Sequence, residues 1–134
     1  MSKKIVVGGL VGGIVIGIII GVVLTITIIS AGLGSVNFKG PPDVIITIPM
    51  QDVRFLTEDI TVKKGDNVLI TLVNKDPIRH DFTIDELDIK VDLWDEGQIF
   101  NLGFTAEREG TYSFYCSIEG HRLAGMEGTI TIQG

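Results

Sequence analysis

"GTYSFYCSIEGHRLAGMEGTITI", Gly110–Ile132, decides how the rest of the chain is read. Its two ends, "GTYSFYC" and "GTITI", alternate with the period of two that marks a β-strand, so Tyr112, Phe114 and Cys116 share one inward face. Between those ends stand the only cysteine of the chain, one of its two histidines and one of its three methionines. Cys116, His121 and Met126 are separated by equal steps, so one loop held by strands on both sides carries a thiol, an imidazole and a thioether.

The same alternation extends outward through "VIITI", "NVLITLVN", "DFTI" and "QIFNLGFTA". Phe100, Leu102 and Phe104 share one face, and "KKGDN" is a turn in which Gly65 can take a positive φ. No stretch of this part sustains a helical period. Residues 43–134 therefore read as an all-β sandwich, with room for one core in a chain of 134 residues.

The N-terminus is different. Ile5–Ile29 is a run of 25 residues without a charge, and a helix of that length would span ~37 Å, enough to cross a bilayer with some tilt. The run is longer than the apolar part of a cleaved secretory signal, so the expectation is a single retained transmembrane helix over residues 5–29. Lys3 and Lys4 precede it and the next basic residue is Lys39, which places residues 1–4 in the cytoplasm and the domain on the extracytoplasmic side of the cell membrane. Gly9, Gly13, Gly17 and Gly21 would form one helical stripe suited to helix–helix association as well as to lipid. Residues 30–42, "SAGLGSVNFKGPP", read as a Gly/Pro linker. Of 11 basic residues nine remain beyond Lys4 against 17 acidic ones, which leaves the exported part at −8; such a surface disfavours nucleic acid and suits a cationic partner.

A lone cysteine in an exported domain makes no internal disulfide, so Cys116 is buried or bound to something. Singly, a Cys is usually a small buried hydrophobe, a His a satisfied polar residue and a Met a filler of gaps. Together, and with the other histidine, His80, placed where the Pro77 loop runs into "DFTI", they make a metal set. Two imidazoles, a thiolate and a weak thioether suit copper, whereas zinc rarely recruits methionine. A cysteine hydrolase would leave Met126 without a task, and the paired cysteines of haem attachment or a zinc ribbon are absent.

The segments "ITVKKGDNVLITLVNKD…RHDFTI", "EREGTYSFYC" and "CSIEGHRLAGM" resemble the cupredoxins, the small type 1 (blue) copper proteins. Four residues on each side of the loop histidine resemble the spacing of sulfocyanin, rusticyanin and auracyanin rather than plastocyanin. The resemblance implies a Greek-key β-sandwich holding one Cu(I)/Cu(II) ion, with His80, Cys116 and His121 as ligands and Met126 as the axial thioether. Asp81 stands where many members have Asn locking the two ligand loops, and Ser117 is placed to bond to it.

A filled ligand set has no open position for substrate, so the expectation is an electron carrier and no enzyme. It would shuttle single electrons between respiratory or other redox proteins, such as a membrane oxidase or cytochrome complex. Electrons would leave through His121, ringed by Ile118, Leu123, Ala124 and Gly125. The acidic segment "DELDIKVDLWDE", Asp85–Glu96, reads as a solvated loop that could steer a basic partner, and its Trp94 as a residue packed over a sheet edge. The rival functions are a copper storage or delivery module and an accessory subunit of a membrane redox complex.

Overall fold

The computed structural model describes residues 35–134 in full and, within residues 1–34, the backbone of residues 3–7, 13–19 and 23–29. These last are three strands, β1 (Lys3–Val7), β2 (Gly13–Ile19) and β3 (Val23–Ile29), paired antiparallel in the order β1-β2-β3. A single helix was expected here, and among the described residues no helix is long and apolar enough to cross a membrane. The difference follows from local preference. Val, Ile and Thr are stiff at χ1 and favour strands, and glycine weakens a helix interior. Gly9 and Gly21 of the glycine stripe lie outside the described residues.

The second unit, Ser35–Gly134, carries eight strands: β4 (Val44–Met50), β5 (Asp59–Lys63), β6 (Asn67–Asn74), β7 (His80–Ile84), β8 (Ile89–Leu93), β9 (Ile99–Thr105), β10 (Gly110–Tyr115) and β11 (Glu127–Gln133). They form a five-stranded sheet in the order β5-β11-β10-β7-β8 and a three-stranded sheet in the order β4-β6-β9. β4 pairs parallel with β6 and β5 with β11, while the other neighbours in these two sheets are antiparallel. The unit begins ahead of Asp43: Gly103 exchanges backbone hydrogen bonds with Ser35 and Asn37, so the end of the linker lies on the edge of β9.

Alternation sets the core. In β6 every second residue, Val68, Ile70, Leu72 and Asn74, is fully buried, and in β10 Tyr112 and Phe114 turn inward with Cys116 following them. Phe55, Phe82 and Phe114 meet at centroid distances of 5.1–5.8 Å, two of the three contacts edge-on, and each such side chain contributes roughly 1.5–3 kcal/mol by leaving water. The acidic segment is not a solvated loop throughout. It begins with a 3-10 turn, Asp85–Leu87, and continues into β8, whose Val91 and Leu93 are buried while Asp92 and Lys90 face outward. Trp94, just past that strand, is exposed, with the Arg79 guanidinium 4.1 Å from its ring centroid.

One strand breaks the alternation. All five residues of β7 are buried, among them His80, Asp81 and Thr83. Buried polar groups need partners, and the partners of these three define one end of the sandwich.

Candidate metal centre

β7 and the loop between β10 and β11 bring His80, Cys116 and His121 together, with one donor atom from each within 4.8 Å of the others. Nδ1 of His80 lies 3.3 Å from Nδ1 of His121, and Cys116 Sγ lies 3.5 Å from that same His121 nitrogen. His80 and Cys116 are fully buried, and His121 is partly exposed. Two imidazoles and a sulfur thus point at one spot from two separate stretches of chain.

The loop closes on itself through its backbone. The Cys116 amide donates to the Met126 carbonyl at 3.1 Å and the Met126 amide to the His121 carbonyl at 3.1 Å, so Met126, fully buried, is tied to both. Gly120 and Gly125 take φ of 83° and 102°, left-handed conformations that glycine adopts without strain, and these turn the chain on either side of His121. Ile118 is partly buried, Leu123 and Ala124 are exposed, and Leu123 at 95% is almost wholly in solvent.

Asp81 joins the two stretches. Its carboxyl accepts the Ser117 amide at 2.6 Å and the Ser117 hydroxyl at 2.5 Å, and a third bond comes from the Thr83 hydroxyl at 3.2 Å. The Asp81 amide in turn donates to Cys116 Sγ at 3.4 Å. On the far side of the His80 ring, Nε2 meets Asp76 Oδ2 at 2.7 Å. Sequence reasoning missed Asp76, although it shares the Pro77 loop with His80.

The electrostatics suit a metal. Burial pushes the Cys116 thiol up, against a partial offset from the amides of Asp81 and Ile118. Burial, helped by the nearby His80, pushes His121 down. An imidazole that stays neutral offers a lone pair. A thiol of raised pKa becomes a thiolate readily only when a cation takes its proton's place. The donor set, soft sulfur beside two borderline nitrogens, is compatible with one copper ion.

Comparison with known proteins bears on the fold and the family. No curated protein matches the chain. Auracyanin B matches in structure with a TM-score of 0.62 and 18% identity, covering 76% of this chain and 97% of the other. The dithionite-reduced auracyanin of the photosynthetic bacterium Roseiflexus castenholzii matches with a TM-score of 0.60 and 20% identity, covering 71% and 100%. At these identities the likeness speaks for the fold alone. Residues 18–132 match the model of the cupredoxin-like domain, and the chain belongs to that family.

Proposed function

We propose that this protein is a membrane-tethered, mononuclear copper electron carrier. The observation that carries the reading is the convergence of His80 Nδ1, Cys116 Sγ and His121 Nδ1 on a frame cross-linked through Asp81 and Ser117. Held there, with Met126 as a fourth donor, copper would supply a one-electron couple. The protein's part is to keep the donors still. His80 is fixed on a strand, Cys116 is held at both its amide and its sulfur, and Met126 is held by its backbone, so little has to move between oxidation states.

His121 is the one donor that reaches the surface, and the exposed Leu123 and Ala124 beside it, with Ile118, give a partner an apolar place to dock. The acidic residues of Asp85–Glu96 favour a basic redox protein as that partner and would act on its rate of encounter. The uncharged run Ile5–Ile29 supports a membrane location: in lipid every backbone polar group must be satisfied within the segment, which favours a helix where water would not.

An optical spectrum of the chain loaded with Cu(II), beside a Cys116→Ser variant, tests the reading. An intense visible thiolate-to-copper band is expected in the parent, bleached by mild reductant and lost in the variant. A folded, copper-bound parent without that band would refute electron carriage and favour storage or a structural role.

A further inference from the structure

We propose that Asp76 is the positioning residue of this centre: its carboxylate fixes the His80 ring with Nδ1 free for the metal, and its negative charge, one imidazole away, favours Cu(II) over Cu(I). The inference rests on the copper reading for its redox half only.

A 2.7 Å contact between an imidazole nitrogen and a carboxylate oxygen needs a proton between them, and the other partners of Asp76 show which group supplies it. Oδ1 accepts the amide of Asp52 at 2.9 Å, and Oδ2, already facing His80, accepts the amide of Val53 at 3.1 Å. With three donors aimed at it, the carboxylate has no use for a proton of its own. The proton therefore sits on His80 Nε2, and the lone pair of Nδ1 faces Cys116 and His121.

The surrounding chain is shaped to hold this carboxylate. Gln51–Arg54 is a two-residue hairpin turn closed by reciprocal bonds, Gln51 amide to Arg54 carbonyl at 3.0 Å and the reverse at 3.1 Å. Its central residues, Asp52 and Val53, have φ of 55° and 56°. That is the type I′ geometry, in which asparagine and glycine are at ease and a β-branched valine is strained. Both residues present their amides to Asp76, the strained Val53 among them. From the other side Asn74 Oδ1 accepts the Asp76 amide at 3.0 Å, and Asn74 Nδ2 donates to the Ile78 carbonyl at 2.9 Å, bracing the Pro77 loop between them. Strain that the surroundings over-determine, aimed at a buried charge that holds a ligand, is the pattern of a preorganised site.

The test uses full-length protein and the variants Asp76→Asn and Asp76→Ala. Asparagine can keep an oxygen toward His80 and Val53 but removes the charge; alanine removes both. In the metal-free state, ¹⁵N NMR of the imidazoles should place the His80 proton on Nε2 in the parent and in Asp76→Asn, and should show mixed tautomers in Asp76→Ala. Loaded with copper, Asp76→Asn should shift the Cu(I)/Cu(II) balance about tenfold toward Cu(I), a rise of ~59 mV in potential. Asp76→Ala should lose about 10- to 100-fold in Cu(II) affinity. A parent with its His80 proton on Nδ1 overturns the positioning role. An Asp76→Asn potential within about twofold of the parent's balance, with the blue band intact, overturns the charge effect. A parent without the band overturns the copper reading and the redox half with it, while the tautomer result still decides the positioning half.

Discussion

Replacing Asp81 by alanine should cost the metal-free domain about 3 kcal/mol, while replacing it by asparagine should cost less than about 1 kcal/mol. Asp81 is fully buried and receives the Ser117 amide, the Ser117 hydroxyl and the Thr83 hydroxyl at 2.6, 2.5 and 3.2 Å. A hydrogen bond contributes about 1 kcal/mol net, and about 1.5–3 kcal/mol where a partner is charged. The three do not simply add. Ser117 is exposed, so water takes over its two donors after truncation, whereas Thr83 is 6% exposed and its hydroxyl is left facing an apolar methyl. The cost of taking a carboxyl out of water is also recovered when it is removed. Loss of the link between β7 and the ligand loop, together with the stranded hydroxyl, gives the figure of about 3 kcal/mol.

Asparagine keeps an oxygen for the Ser117 amide, and its NH₂ can donate to the Ser117 hydroxyl, which rotates to accept. Geometry survives and only polarity reverses. Urea denaturation of metal-free protein, followed by far-UV circular dichroism, reads both variants. With an m-value of about 1.5 kcal/mol/M, the alanine midpoint should fall by about 2 M and the asparagine midpoint by well under 1 M. An alanine variant within about 0.5 kcal/mol of the parent, or an asparagine variant as unstable as alanine, would refute the claim that Asp81 cross-links the two stretches by hydrogen bonding.

Two further outcomes follow from the same structure. Gly128 has no room for a side chain, since a Cβ there would run into the Glu58 carbonyl and the Phe114 ring, and Gly128→Ala should therefore lower stability by about 1–3 kcal/mol in the same urea assay, with no loss expected if the strand simply shifts. Copper binding should release protons in a pH-dependent way: at pH 7 His121, held below 6.5, is neutral and Cys116, held above 9.0, is a thiol, so Cu(II) should displace about one proton from the sulfur. Titration calorimetry in buffers of different ionisation enthalpy reads that number. It should rise as pH falls through the lowered His121 value, where the metal must also displace an imidazole proton, and decline as pH climbs past 9.0 through the raised Cys116 value.

What the sequence made legible depended on whether a signal was local. β4, β6, β9, β10 and β11 alternate over six to eight residues and are plain to read, and Cys116, His121 and Met126 announce a site because they share one loop. β5 and β8, five residues each, "DITVK" and "IKVDL", hold too few apolar positions among charges to stand out from loop. The Ile5–Ile29 run shows a different limit: its strong hydrophobicity says that it avoids water, but the choice between helix and strand depends on the solvent around it. Asp76 was illegible for a third reason. Its acceptors serve amides 24 and 23 residues earlier in the chain, and only the fold brings that turn to the foot of the histidine loop.

The pattern of exposure bears on what kind of copper protein this is. A module that hands metal to another protein needs donors that an incoming ligand can reach one after another. Here the donors His80 and Cys116 are both at 0% exposure, and each is held by a further group: His80 by the Asp76 carboxylate, Cys116 by the Asp81 amide. His121 alone reaches solvent, and it does so amid apolar neighbours rather than competing donors. An electron can cross a single exposed imidazole, but a metal ion would have to leave two buried groups, each held in place, at once. Exchange of bound copper with a strong chelator should therefore be slow while oxidation by a soluble one-electron acceptor is fast, and fast exchange in the parent chain would turn the argument toward delivery.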